Sequence, residues 1–411
     1  MSLNTSLVPG ERAQEEGKLE GLHSRSPSAP GRPDRRGRLL RVAVGTLFLV
    51  LAVALALNPR RCIDFTVFRT AGARLLAGTS LYRAEDGPMP FKYAPPVAVL
   101  FVPLALLPRS LGAVLWNAGS VVLLLVALSR LRRIDPGPRD TDGSWAALAL
   151  AGPVGAVLFY GQVDLWLLGL LALAAAAAGT RLDGGLALGL AVLTKPPAVL
   201  AGAFFLVRRR WRALAVAAGV ALLACALFAL RVGADAFLGQ LGAWRALVER
   251  STVEWVTGPN PQGFPTLLLD AAGWLGARPG AGTLWLAELA SALFFGALVL
   301  ALRDDAGAAF RMTTLAVAMC SPLAWRANFV LALPAVRRLV TRAREGDRIS
   351  RGVLGLQVLA SVFTSGALLD RTATERLLAL RPWGLLGLVL VVLEISAPRA
   401  REAVRAGTPP G

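Results

Sequence analysis

The stretch CIDFTVFRTAGARLLAG, residues 62–78, follows directly on the long apolar run of residues 39–57. Its third residue, Asp64, places a carboxylate where the chain leaves that run. Phe65, Phe68, Ala71, Gly72, Leu75 and Leu76 fall on one stripe at helical spacing, with Thr66, Thr70 and Arg74 on the other side. A helix with that pattern is expected to lie along a membrane surface rather than cross it. An acid held above such a helix has two readings. It caps the helix N-terminus, as Asp commonly does, or it is a working group at the mouth of a membrane site.

The rest of the chain sets the class. Of 411 residues, 55% are hydrophobic, and mean hydropathy is +0.57. That composition belongs to an all-α polytopic membrane protein. A formal charge of +18 would suit nucleic acid, but the arginines come in short runs between apolar segments: LRR at 131–133, RRRWR at 208–212 and Arg337-Arg338. Cytoplasmic loops are written this way under the positive-inside rule. Cys62, Cys225 and Cys320 are isolated and form neither a disulfide framework nor a zinc spacing. His23 is the one histidine and lies in the polar N-terminal tail, which argues against histidine acid–base chemistry and histidine metal sites. Among 44 basic residues, Lys18, Lys92 and Lys195 are the lysines.

Hydropathy and the arginine runs give a topology. Residues 1–38 read as a disordered cytoplasmic tail and residues 39–57 as an uncleaved first span. PPVAVLFVPLALL, residues 95–107, is too short to cross at about 1.5 Å per residue. It is therefore kept at the outer surface, which puts LRR inside after a span at 111–129. Residues 59–110 then form one external segment with interfacial helices. Spans at 144–160 and 163–179 are joined outside by GQVD. In residues 184–207, Lys195-Pro196-Pro197 breaks the helix, giving two short pieces whose tip carries Lys195 toward the outer half. Span 211–230, an external loop at 231–283, spans at 284–302, 309–324, 327–340, 352–368 and 382–397, and a cytoplasmic tail at 398–411 complete the chain. The expectation is about 10–12 transmembrane helices in one domain, 39–397.

With this topology Asp64, Lys92, Tyr93, Gln162, Asp164, Lys195, Asn260, Gln262, Trp325, Arg326 and Asn328 converge on the outer face. An ionisable group at membrane depth costs about 2.5–3.5 kcal/mol on insertion scales, so such groups tend to mark function. Each also has a plain reading: Lys92 snorkels, Gln162 and Asp164 face water in a turn, Arg326 marks a span end, and Asn260 and Gln262 are ordinary loop polarity. Together they suit transfer from a lipid phosphate. A carboxylate takes the proton of an attacking hydroxyl, cations bind the phosphate leaving group, and Tyr93, Trp255 and Trp325 offer faces for sugar rings.

The motifs resemble glycosyltransferase family 87, the polyprenyl-phosphate-dependent mannosyltransferases of the GT-C superfamily. The resemblance is carried, over roughly residues 40–340, by DFTVFRTAGARLLAGTSLY (64–82), FKYAPPVAVLFVPLALLP (91–108), GQVD (161–164), GLALGLAVLTKPPAVL (185–200), RRRWRAL (208–214), NPQG (260–263) and SPLAWRAN (321–328). It implies a catalytic acid in the first external loop, here Asp64. It also implies a polyprenyl-phosphate mannose donor, inversion at the anomeric carbon, and no metal or other cofactor. Two departures stand out. Arg326, Ala327 and Asn328 follow Trp325 where histidines are common, and GQVD has Asp164 in place of an amide.

The reading is thus a hexosyltransferase of the cytoplasmic membrane with its site on the external, periplasmic face and both termini cytoplasmic. Asp64 is the base and Lys195, Arg326 and Lys92 are the phosphate cations. Tyr93, Gln162, Asp164, Asn260, Gln262, Trp325 and Asn328 bind substrate, and a glycolipid or glycan is the acceptor. The alternatives are a lipid or solute transporter, or a non-catalytic assembly protein on the same scaffold.

Overall fold

A computed structural model describes residues 35–87, 89–177, 182–278 and 280–397. The expected N-terminal tail up to residue 34 and the tail from residue 398 lie outside the described residues. In chain order the α-helices are α1 (Arg35–Leu57), α2 (Ile63–Ala77), α3 (Ala98–Ala105), α4 (Arg109–Ile134), α5 (Asp142–Ala149), α6 (Ala151–Tyr160), α7 (Asp164–Ala176), α8 (Leu182–Thr194), α9 (Ala201–Val207), α10 (Trp211–Val232), α11 (Ala234–Val256), α12 (Phe264–Trp274), α13 (Ala281–Ala301), α14 (Ala306–Met319), α15 (Leu333–Arg344), α16 (Arg348–Phe363), α17 (Arg371–Ala379) and α18 (Pro382–Ile395). No strand occurs among the described residues. The protein is an all-α, multi-pass membrane protein, as composition demands.

Length separates two kinds of helix. Gly37–Leu57, Arg109–Ile134, Trp211–Val232, Ala281–Ala301 and Arg371–Ile395 are each long and apolar enough to cross a bilayer. At about 1.5 Å per residue, 21 residues reach across a hydrocarbon core of about 30 Å. Several of these turn leucines outward, among them Leu222, Leu230 and Leu293, as a lipid-facing surface requires. Inside them are shorter helices that lipid does not reach. The stretch of α14 from Gly307 to Met319 is buried on every side, with its one charge, Arg311, held in ion pairs. In α7, Leu165, Leu167, Leu168 and Leu171 are buried. The expected span at 144–160 is a bent pair, α5 and α6, meeting at 65°. Pro153 in the first turn of α6 explains the break, since Pro lacks the N–H that would continue the helix.

Small residues allow these helices to close up. Gly185 and Gly189, four apart on α8, face Val216 and Val220 of α10, where an added Cβ would lie 2.5 and 2.7 Å from their Cβ atoms. Such spacing is how membrane helices gain packing contact without a hydrophobic driving force.

The segment expected to be external, residues 59–110, differs from its sequence reading in one respect. The stripe of α2 is buried against protein rather than lipid: Phe65, Phe68, Ala71, Gly72 and Leu75 are covered. The cover is the short apolar segment Pro95–Ala105, which packs on α2. At Gly72 the two approach so closely that a Cβ would sit 2.6 Å from the Phe101 carbonyl oxygen. Pro95–Ala105 is indeed too short to cross. The expected loop at 231–283 is largely helical, since α11 and α12 occupy most of it.

The chain runs between two ends. At one lie Asp64, the α6–α7 turn, Lys195 and Trp325, which share a cavity or pair within it. At the other, Arg210 donates to the Ala175 and Ala177 carbonyls, Arg208 to that of Arg303, and Arg337 to that of Asp135.

Candidate active site

The site starts from a strained turn. Cys62 precedes α2 with φ of 54°, a left-handed conformation uncommon for a residue with a side chain. Its N–H donates to the Phe159 carbonyl at 2.9 Å, tying the start of α2 to the end of α6. Gly161 then reverses the chain at φ of 71°, and a Cβ there would lie 2.8 Å from Phe65 Cβ. Glycine is required twice over, by conformation and by space. Trp116 Nε1 donates to the Gly161 carbonyl at 2.9 Å and fixes the turn from α4. These contacts deliver Gln162 to Asp64.

Gln162 Nε2 donates to Asp64 Oδ2 at 2.5 Å. The N-cap position belongs to Cys62 and no side chain caps α2, so the capping reading of Asp64 has no bond to support it. Asp64 is 8% exposed. Burial is the largest influence on it and pushes the carboxyl up, to about 6. The Gln162 hydrogen bond opposes this, the neighbouring Asp164 charge adds to it, and Lys195 opposes it.

Asp64 lines a cavity of about 430 Å³ together with Lys92, Tyr93, Gln162, Lys195, Asn260 and Trp325. Seven of the sequence-derived residues therefore share one cavity, from segments as distant in sequence as residues 64 and 325. Lys195 follows α8 as an extended residue (φ −152°, ψ 118°), and the 3₁₀ turn Pro196–Leu200 follows it. The two prolines break the helix there as expected. Lys92 Nζ lies 4.6 Å from the centre of the Trp255 ring, close enough for a cation–π contact. Its partial burial lowers its pKa. Tyr93 packs edge-on to Phe68, ring centres 5.2 Å apart.

Four sequence-derived residues sit elsewhere. Asp164 is fully buried behind the cavity and pairs with Lys195 Nζ at 2.7 Å. Gln262 is also fully buried. Its Nε2 donates to the Leu378 and Pro259 carbonyls at 2.8 and 3.0 Å, and its Oε1 accepts from Trp383 N–H at 3.3 Å. It fastens the Asn260 turn to the C-terminal helices. Arg326 donates to the Thr364 carbonyl, away from the cavity. Asn328 is 1% exposed within the 3₁₀ segment Arg326–Ala332. The physical reason is common to all four: each stands within three residues of a cavity residue in sequence, but nearby side chains point in different directions.

Tyr160 is the residue that sequence reasoning missed. It lines the cavity and meets Trp325 edge-on at 4.8 Å. Its position immediately before GQVD was the available signal. Arg381, beyond the recognised motifs, is the second. It is 7% exposed, bonds Asp270 at 2.8 Å, and donates to the Gly258 and Pro261 carbonyls at 2.6 and 2.9 Å. It shapes the Asn260 wall from outside, and no motif marks it.

A multi-pass helical bundle with a buried acid, two lysines and aromatic rings around one cavity is the class that fold and site define. The sequence profile of glycosyltransferase family 87 matches residues 91–334, and the chain belongs to that family. It is 32% identical over 240 residues to a polyprenol-phosphate-mannose-dependent alpha-(1-2)-phosphatidylinositol pentamannoside mannosyltransferase of Mycolicibacterium smegmatis, an alignment spanning 56% of this chain and 58% of that relative. It is 28% identical over 341 residues to the Mycobacterium tuberculosis protein of the same description, covering 76% of each. Among solved structures, ArnT from Cupriavidus metallidurans bound to undecaprenyl phosphate aligns over 90% of this chain and 72% of its own, at 15% identity and a TM-score of 0.45. The resemblance read from the motifs is borne out at the level of family.

Proposed function

We propose that this chain transfers a sugar, mannose by analogy with its relatives' names, from a polyprenyl-phosphate donor to a hydroxyl of a glycolipid or glycan acceptor, with inversion. The observation that carries this reading is the single cavity in which buried Asp64, braced by Gln162, shares the wall with Lys195. Asp64 accepts the proton of the acceptor hydroxyl as its oxygen bonds to the anomeric carbon. The anomeric carbon–phosphate oxygen bond breaks, and its electron pair leaves on the polyprenyl phosphate. Lys195 and Lys92 meet the charge that develops there, as preorganised cations do in a site shielded from water. Trp325, Tyr160, Trp255 and Tyr93 flank the sugar. A base with a pKa near 6 is well matched to work near neutral pH. Asp164, Gln262, Arg326 and Asn328 act on this reading as supports.

The cavity end is assigned to the external face and both termini to the cytoplasm, because the arginine runs gather at the opposite end. Cysteines introduced at 133, 209 and 343 are expected to resist an impermeant thiol reagent in intact cells, and one at 260 to react. Labelling at 209 with none at 260 would reverse the orientation.

The activity test uses purified protein in lipid nanodiscs with labelled polyprenyl-phosphate mannose and candidate glycolipid acceptors. Transfer by the wild type and its loss in Asp64→Asn are expected. Absence of transfer with donor binding intact would favour an assembly protein, and vesicle uptake without transfer would favour a transporter.

A further inference from the structure

We propose that Asp164 is a positioning residue that works through Lys195: as a buried counter-ion it restrains the ammonium and makes the cavity discriminate against a doubly charged phosphate, so that product lipid is released. This deepens the reading of the cavity as a lipid-phosphate site and rests on it.

The geometry is specific. Asp164 opens α7 and is wholly buried. Its Oδ1 accepts from Lys195 Nζ at 2.7 Å, while that lysine side chain is 13% exposed and lines the cavity. Asp164 therefore reaches substrate only through the lysine. Its Oδ2 is buried and has no hydrogen-bond partner among the described residues. An unpaired buried acceptor costs about 1–3 kcal/mol, more when charged. Anchoring an ammonium needs no such cost, since a neutral acceptor would hold it. What a carboxylate adds is a full negative charge beneath the cation.

That charge acts unequally on the two ends of the reaction. The donor is a phosphodiester and carries one negative charge. The product, a phosphomonoester whose second pKa is about 6, approaches two at neutral pH. Coulomb energy is proportional to the ligand charge, so a fixed buried anion repels the product about twice as strongly in free energy. Asp64 and Lys92 also line the cavity, but Asp64 takes up a proton in the transfer, so Asp164 is the carboxylate that stays charged beneath the product.

The quantitative consequence is a square law. In Asp164→Asn, which keeps the shape and a carbonyl acceptor for Lys195, removal of the charge tightens donor and product together. If donor KM falls by a factor of about 3, the product inhibition constant for undecaprenyl phosphate falls by about 10, the square of the donor factor. Turnover becomes limited by product release. Asp164→Glu, which restores the charge, returns the ratio toward wild type. Both constants are measured in nanodiscs against the neutral alcohol, undecaprenol, as control. Equal changes for donor and product, or weaker binding of both, would reduce Asp164 to an anchor and overturn the proposal. If Asp164→Asn does not accumulate, Asp164→Ser makes the same neutral comparison. Wild-type protein that does not distinguish undecaprenyl phosphate from undecaprenol would instead overturn the functional reading itself.

Discussion

The two ends of this molecule treat buried charge in opposite ways. At the arginine end, Arg311 is 7% exposed and lies between Asp135 and Glu394, at 2.7 and 2.8 Å. Asp142, fully buried, accepts from Arg344 and from Thr341 Oγ1, each at 2.8 Å. Arg337 adds a bond to the Asp135 carbonyl at 2.6 Å. These carboxylates each face a cation, and the network ties α4, α5, α14, α15 and α18 together. At the cavity end, Asp64 has an amide for a partner, Asp164 has Lys195 on one oxygen only, and Asp164 Oδ2 and Gln162 Oε1 are buried without partners among the described residues. Paired charge holds helices in register. Under-paired charge, kept next to a cavity, stores a proton affinity and an electric field that substrate can use.

Breaking the cavity end should destroy chemistry and spare the fold. Asp64→Asn is expected to lower turnover by about 10²–10⁴-fold, the usual loss when general-base help is removed, with donor binding retained. Near-normal transfer by this variant would remove Asp64 from the mechanism. The sign of its stability effect sharpens the contrast. Because the folded carboxyl is held at about 6, above its ordinary 3.8, its contribution to stability is fully present below about pH 4 and is lost as pH rises through about 6. Asp64→Asn should therefore raise the unfolding temperature at pH 7.5 while abolishing activity.

Breaking the arginine end should do the reverse. Arg311→Met leaves the buried Glu394 without its cation and the half-buried Asp135 with Arg337 alone, a change of the kind that costs about 3–5 kcal/mol. The expected result is poor accumulation and a lower melting temperature, with normal turnover per folded molecule. Adding Glu394→Leu should restore much of the yield. A large fall in turnover of well-folded Arg311→Met would show that the two ends are coupled.

A pH profile makes the next smaller distinction. Acceptor kcat/KM should fall below about pH 6 as Asp64 gains its proton. A flat profile from pH 5 to 8 would mean that another group accepts the proton. The smallest effect is expected at Lys92, whose contact with the Trp255 face is worth about 0.5–1 kcal/mol. Lys92→Met should raise donor KM only a few-fold and leave melting unchanged. A loss as large as that of Lys195→Met would move the phosphate toward Lys92.

Of the 10–12 expected spans, only five helices among the described residues, or six with the bent pair, are long and apolar enough to cross, and those expected at 163–179 and 309–324 are shorter. The sequence by itself did determine the class, the proline break at Lys195 and the family. Composition, helical period and proline chemistry act locally, so a linear reading reaches them. It also found Asp64, Gln162, Lys195 and Trp325, because each is embedded in a short motif. It did not reveal that the α2 stripe faces protein, since an apolar face looks the same against lipid and against Pro95–Ala105. Nor did it sort Trp325 from Arg326, or Gln162 from Asp164. Residues one or two apart in sequence point apart, and only the packing of α7 behind Lys195 made Gln162 part of the cavity wall and Asp164 a hidden counter-ion. Arg381 lay beyond sequence reasoning altogether, since it reaches its partners, the Gly258 and Pro261 carbonyls, across more than a hundred residues of chain. Such contacts are made by the fold as a whole, because a hydrogen bond between distant segments is set by where helices cross and leaves no period or motif behind.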